Sequence, residues 1–349
     1  MAMNDCMKQQ KQKKKKFNIT SINVKLVNQE YDDFGNENDS YTWGDSTFRQ
    51  DGFSIGKDYM RFDGSTLTRG ELLPSSLIFD PTSDESLIGQ GAFSQVHRGI
   101  WTMKNDNNGE VKGAKASKEI IVAIKQCSLL EASEQRRGML LKELRALCTI
   151  DCECLLRMHG AYLHGDTVTT VLEYMDRGSL EQVLQHQKEM KQHPLLPSDV
   201  LAAIAYQMLW GLSYLHHEKI LHRDIKAGNC LLHSNGQVKL CDFGIASISD
   251  QSLHVTTCGT TKFLAPERLR SKPYGRSSDI WSLGLVLLEC ATGISPWEDC
   301  DSLVTLVITV EETEVDDLIP KDLTHELREI LVCCLQKDPG KYRGGFVSV

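Results

Sequence analysis

The sequence changes character once, near Arg177-Gly178. Before that point, from about Ser86, short β-branched runs alternate with turn residues. Leu87-Ile88 leads into Gly89-Gln-Gly91, and Val122-Ala-Ile-Lys125 follows. The polar stretch from Thr102 to Glu119 reads as an enlarged hairpin loop. Leu140, Leu141, Leu144 and Leu147 share a helix face, and Val168 to Leu172 returns to strand. After Gly178, Ile204, Met208, Leu212 and Leu215 keep one helix face apolar, and Ile280 to Cys290 reads as a buried helix. Strands first and helices afterwards predict an α+β chain with a β-rich lobe, an α-rich lobe and a cleft between them. No repeat at a solenoid period is visible.

Composition removes several function classes. With 41% hydrophobic and 25% charged residues, the 349-residue chain is expected to be largely globular. The most apolar run, Ile280 to Leu288, is broken by Gly284 and stopped by Glu289, well short of the roughly 18 residues a span needs, so no membrane role is expected. Twelve cysteines are scattered without a Cys-x-x-Cys pair. Cys152-x-Cys154 and Cys333-Cys334 match neither a zinc site nor a disulfide framework, so the chain reads as reduced and cytoplasmic. Residues 1–16 carry six lysines against Asp5; since the whole chain is −8, the remainder is strongly acidic and offers no basic face for nucleic acid. Residues 1–70 read as an extended or disordered arm, with no secretory signal before Lys11 and no myristoylation pattern at Ala2.

Several short motifs carry chemistry. Gly89 and Gly91 would let backbone N–H groups approach phosphates, with Ser94 at a third glycine position. Strand follows them, not helix, which excludes a dinucleotide fingerprint. Lys125 sits in an apolar strand where an ammonium needs a partner, and Glu143, 18 residues on, can supply one, either as a structural bridge or to aim the lysine at a nucleotide. Downstream come His222-Arg223-Asp224-Ile-Lys226-Ala-Gly-Asn229 and Cys241-Asp242-Phe243-Gly244. One carboxylate can accept a hydroxyl proton, while the other and the amide hold a hard divalent cation through oxygen.

This ordered set, completed by Ala265-Pro266-Glu267 and Asp279-Ile-Trp281-Ser-Leu-Gly284, resembles the protein kinase family over about residues 80 to 340. The resemblance implies a bilobal kinase fold using ATP and Mg2+, with residues 71–175 as N-lobe and pre-kinase segment and 176–349 as C-lobe. It places Ile88, Gly89, Gly91 and Val96 over the nucleotide and Lys125, oriented by Glu143, on the phosphates. Asp224 would be the base, Lys226 would steady the γ-phosphate, and Asn229 and Asp242 would bind Mg2+. Leu172 would line the rear of the adenine pocket. Backbone groups of Glu173 and Met175 would read the ring, Ala123 and Leu231 would sandwich it, and Gln182 would reach the ribose. Cys241 reads as a small packing residue.

Within that family, Leu172-Glu-Tyr-Met-Asp-Arg-Gly-Ser-Leu180, Leu264-Ala-Pro-Glu-Arg268 and Ser278 to Cys290 resemble the MAP kinase kinases, and Ser46 to Gly52 resembles the segment preceding the domain in plant-type members. Ser252 and Thr256 match the spacing of that family's activating phosphorylation sites, where a phosphate could pair with Arg223; a loop whose hydroxyls merely cap turns is the plainer reading. Lys13 to Lys16 with Phe17-x-Ile19 is similar to a MAP kinase docking motif, and equally fits a nuclear-import tag or a solvated lysine run. The implied partners are an upstream activating kinase and a downstream MAP kinase. Two features depart from the pattern. Ala227-Gly228 replaces Pro-Ser, as in sterile-20-like and some MAP kinase kinase kinases, and Arg343 comes late before a short ending. A kinase of those other types is therefore the alternative reading, and a kinase-fold scaffold the third.

Overall fold

The structure is a computed structural model. It describes residues 42–44, 47–50, 53–55, 60–62, 65–66, 76–91, 94–103, 118–129, 140, 144, 147–148, 150–190, 196–243 and 261–339. All of these belong to the compact unit 39–349; residues 1–38 form the chain's other unit.

The expectation of a mostly extended or disordered arm to residue 70 gives way to strands at 42–44, 47–50, 53–55, 60–62 and 65–66. Five short strands, β1 (Thr42–Gly44), β2 (Thr47–Gln50), β3 (Phe53–Ile55), β4 (Met60–Phe62) and β5 (Ser65–Thr66), form an antiparallel meander in chain order. The cause is local. Gln50 pairs with Phe53 and Phe62 with Ser65, and the sequence between each pair is Asp-Gly, the dipeptide that favours tight hairpin connections. Ile55 is fully buried and joins a hydrophobic cluster with Ala123, Leu144, Leu163 and Leu172, so the meander shares the core of the lobe that follows.

That lobe is an antiparallel sheet of β6 (Leu77–Ile78), β7 (Leu87–Gln90), β8 (Ser94–Met103), β9 (Lys118–Ser128), β10 (Met158–His164) and β11 (Thr167–Glu173), ordered β10-β11-β9-β8-β6 with β7 also on β8. Thr102 pairs with Glu119 and Met103 with Lys118, so the strands run into the stretch expected as loop; residues 104–117 lie outside the described residues. One sheet face buries Trp101, Val122, Ile124, Tyr162 and Val171, and the other belongs to the Ile55 cluster. Leu140, Leu144 and Leu147 are helical, as their spacing predicts, and so is Cys148; Leu141 lies outside the described residues.

The second lobe is helical. It contains α1 (Leu180–Glu189), α2 (Ser198–His217), the hairpin of β12 (Cys230–Leu232) and β13 (Val238–Leu240), α3 (Pro266–Leu269), α4 (Arg276–Thr292), α5 (Leu303–Glu312), α6 (Val315–Leu318) and α7 (His325–Cys334). Ile204, Met208, Leu212 and Leu215 are buried on α2, and α4 is buried continuously from Ser278 to Leu288, as befits an apolar helix surrounded by others. Gly284 permits the closest approach to α4, since a β-carbon there would lie 2.7 Å from Cβ of Cys334. Parallel pairing of Leu155 with Leu240 and antiparallel pairing of Ser179 with Leu231 stitch the β12–β13 hairpin to the chain on either side. The fold is thus the α+β, two-lobed arrangement that the order of runs predicts.

Candidate active site

The site is built around a loop that leaves α2 and enters the β12–β13 hairpin. Arg223 (φ +69°) and Asp242 (φ +55°) both adopt the left-handed backbone region that side chains disfavour, a cost of about 1–3 kcal/mol each that surrounding bonds must offset. For Arg223 the offset comes from Asp279 at the start of α4. Its carboxylate accepts the His222 N–H at 2.9 Å and the Arg223 N–H at 2.8 Å, and lies 2.8 Å from Nε2 of His216. Burial pushes the Asp279 carboxyl up, but the His216 contact and the Arg223 N–H hold it below its usual value. Burial drives the pKa of His222 down, so its imidazole is neutral, packed edge-on against Phe243 with centroids 6.1 Å apart. Arg268 donates to the Arg223 carbonyl, and both guanidinium groups lie over the Tyr274 ring, at 5.0 and 5.7 Å.

This framework fixes Asp224. Asn229 Nδ2 donates to both its backbone carbonyl and its Oδ2 at 2.8 Å, and Lys226 Nζ lies 2.9 Å from the same Oδ2. Across the β12–β13 hairpin, the Asn229 carbonyl accepts the Cys241 N–H at 3.0 Å, which places Asp242 beside the loop. Lys125 Nζ on β9 reaches Asp242 Oδ1 at 2.6 Å. The Asp242 side chain keeps half its surface open; its dense setting raises the carboxyl, but Lys125 outweighs that and lowers it below the usual value. A small cavity beside this pair is lined by Leu147, Leu156, Thr170, Leu172 and Phe243.

The predicted nucleotide residues fall together. Ala123, Leu172, Met175 and Cys241 share one buried cluster, with Val96 and Leu231 packed against it. Burial raises the Cys241 thiol well above its usual value, as a packing residue should have it. Gly91 N donates to the Ser94 carbonyl at 2.8 Å, closing the tip of β7–β8, and Gly89 pairs with Val96 while Ile88 stays partly exposed.

Other expectations change. Gln182 completes a capping box at α1, its Oε1 accepting the Ser179 N–H at 2.9 Å, so that oxygen is committed to the helix cap and only the amide nitrogen could reach a ribose. The Glu173 side chain is engaged by Lys239 Nζ at 2.7 Å and by the Arg157 N–H at 2.6 Å, a hinge anchor that sequence spacing does not reveal. Glu143, Ser252, Thr256, Arg343 and the segment Lys13 to Ile19 lie outside the described residues; the buried Glu267 of the Ala265-Pro266-Glu267 motif accepts the Ser278 hydroxyl. The anchoring roles of His216 and Asp279 were also missed, although Asp279 stands in a motif that the sequence displays.

The donor set fits a nucleotide with a hard cation. Two carboxylates and one amide converge, and with the Asn229 nitrogen spent on Asp224, its oxygen is the atom such a cation would take beside Asp242. When bound, Mg2+ would screen phosphate charge. Lys125 would hold phosphate oxygens, Lys226 would keep a cation next to Asp224, and the Asp224 carboxylate would accept a hydroxyl proton.

Comparison with known proteins bears on the same residues. The family model described as protein kinase domain matches residues 82–345. Mitogen-activated protein kinase kinase 3 of Arabidopsis thaliana is 34% identical over 258 residues, 72% of this chain and 45% of that protein. Mitogen-activated protein kinase kinase 2 of the same plant is 37% identical over 219 residues, 60% of this chain and 59% of its own length. Mitogen-activated protein kinase kinase SIPKK of Nicotiana tabacum is 36% identical over 218 residues, again 60% and 59%. The matched region spans 45 to 59% of the length of these relatives.

Proposed function

The chain belongs to the protein kinase family, and within it we propose that it acts as a MAP kinase kinase, moving the γ-phosphate of Mg2+-bound ATP onto Thr and Tyr hydroxyls of a MAP kinase activation loop. The observation that carries the reading is the Asp224–Asn229–Lys226 cluster with Asp242 beside it, and Lys125 reaching Asp242 from the opposite lobe. The names of these relatives narrow the substrate class. In this reading, the Glu173 carbonyl and Met175 N–H meet the adenine edge. Phosphates on Ser252 and Thr256 pair with Arg223, whose backbone is already fixed by Asp279.

The test is incubation of upstream-activated protein with catalytically dead MAP kinases, followed by mapping of the phosphorylated residues. Phosphate on both a Thr and a Tyr of the activation loop, lost with Asp224→Asn, is the expected result. Phosphate confined to Ser or Thr of generic substrates would instead favour a sterile-20-like or upstream-cascade kinase. One feature of the sequence favours that second reading: Ala227-Gly228 stands where MAP kinase kinases usually have Pro-Ser. Ser252→Ala combined with Thr256→Ala should lower turnover by about tenfold or more while leaving Mg2+–ATP binding intact, because the loop acts on ordering and not on the phosphate-holding groups. Equal turnover in that variant would remove phosphorylation as the switch.

A further inference from the structure

Cys152 and Cys154 have no part in the site just described, yet they are placed together in a way that chemistry can use. The Leu155 N–H donates to the Cys152 carbonyl at 3.2 Å, so residues 152–155 form a β-turn with cysteines at its first and third positions. Two 3.8 Å Cα steps bent through such a turn leave about 5.5 Å between the α-carbons. A disulfide needs about 4.4 to 6.8 Å. The two thiols are near enough for each to shift the other's proton affinity. Both are reduced; Cys152 is partly exposed, while Cys154 is buried.

The two sulfurs differ as an attacking and a resolving thiol should. The Cys154 thiol beside it, opposed by partial burial and by Glu153 but helped by the charge of Lys239, pulls the Cys152 thiol below its usual value. The same contact and burial push Cys154 up. Burial alone raises Cys230, and it is the main cause at Cys241, Cys290 and Cys334. A thiolate with access to solvent is the reactive form.

The turn is also mechanically tied to the site. The Cys154 carbonyl accepts the Leu240 N–H at 2.9 Å, and the Leu240 carbonyl accepts the Leu156 N–H at 2.9 Å. Leu240 ends β13, two residues before Asp242. On the other side, Asp151 N donates to the Tyr214 hydroxyl at 3.2 Å, and Gly211 of α2 packs so closely that a β-carbon there would lie 3.1 Å from the Cys154 carbonyl. The turn therefore has no slack toward α2 or β13.

We propose that Cys152 and Cys154 form a redox modification site, which a hydroperoxide converts to an intraturn disulfide that weakens nucleotide binding through β13. The Cys152 thiolate attacks the peroxide O–O bond, giving a sulfenic acid and releasing the alkoxide or hydroxide. Cys154 then attacks the sulfenyl sulfur and the disulfide forms; its proton and the sulfenic hydroxyl leave as water. Two electrons pass from the two sulfurs to the peroxide.

The full chain would be treated with hydrogen peroxide, digested without reduction and analysed by mass spectrometry, with binding of a non-hydrolysable Mg2+–ATP analogue measured before and after. The expected product is a peptide holding both cysteines and two hydrogens lighter, restored by dithiothreitol, with severalfold weaker analogue binding in the oxidised form. Cys154→Ser should stop at a Cys152 sulfenic acid that dimedone traps, and its analogue affinity should no longer respond to peroxide. Intact thiols on both residues, or sulfinic acid at Cys152 without the bridge, would overturn the site. A bridged peptide with unchanged affinity would overturn its coupling to β13. The mass readout needs no kinase turnover, so it fails or succeeds independently of the substrate assignment.

Discussion

At the scale of single residues, Asp279 does more for the site than its distance from the chemistry suggests. It binds no substrate, yet three donors converge on its buried carboxylate, and two of them are the backbone N–H groups that hold Arg223 in a left-handed conformation. Asp279→Asn keeps one acceptor and should cost about 1.5–3 kcal/mol of stability in urea unfolding at pH 7. The sign of the pH dependence follows from its lowered folded-state value. The stabilisation is complete above the unfolded carboxyl range and is lost as pH falls through the folded one. The gap between wild type and variant should therefore stay constant from pH 7 to 5 and narrow only below about pH 4. A gap that changes between pH 7 and 5 would place the titration on a group other than Asp279. Asp224→Asn should behave differently, lowering turnover by about 10²- to 10⁴-fold with analogue binding preserved, as expected for loss of a general base. The sequence showed Asp224, Asn229 and Asp242 because their roles fix residue type and spacing. It hid the anchoring roles of Asp279 and His216 and the Lys239–Glu173 pair because support can come from any element that packs nearby.

At the scale of elements, legibility followed the length of the repeat. The α2 face and the buried α4 could be read because each repeats over several turns. The β1–β5 meander could not, since no strand exceeds four residues and polar composition dominated its surroundings. Its signal was present all the same in Asp51-Gly52 and Asp63-Gly64. Ile55 decides whether the meander belongs to the lobe, because it is fully buried among residues of β9, β10 and β11. Ile55→Ala should destabilise the protein by about 2 to 5 kcal/mol, the usual range for an emptied core site. A loss below about 0.5 kcal/mol would mean that the meander rests on the lobe without sharing its core.

At the scale of the whole molecule, charge is divided in a way that suggests work for the first unit. The six lysines of residues 1–16 precede a strongly acidic remainder, and the division between compact units falls at Asn38. If Lys13 to Lys16 with Phe17 and Ile19 engage a MAP kinase, they act as a tether that raises local substrate concentration and leave the phosphate-transfer groups of 39–349 untouched. A chain lacking residues 1–38 should then keep its melting temperature, its Mg2+–ATP affinity and its kcat, while KM for the MAP kinase rises by about tenfold. Phe17→Ala with Ile19→Ala should reproduce much of that rise. Exposed charges are screened beyond roughly 8 Å at physiological ionic strength and beyond about 3 Å at 1 M, so added salt should raise KM for the intact chain far more than for the truncated one. An unchanged KM after truncation would assign the lysines to nuclear import or to solvation. A fall in kcat with the same truncation would show instead that residues 1–38 act on the catalytic unit itself.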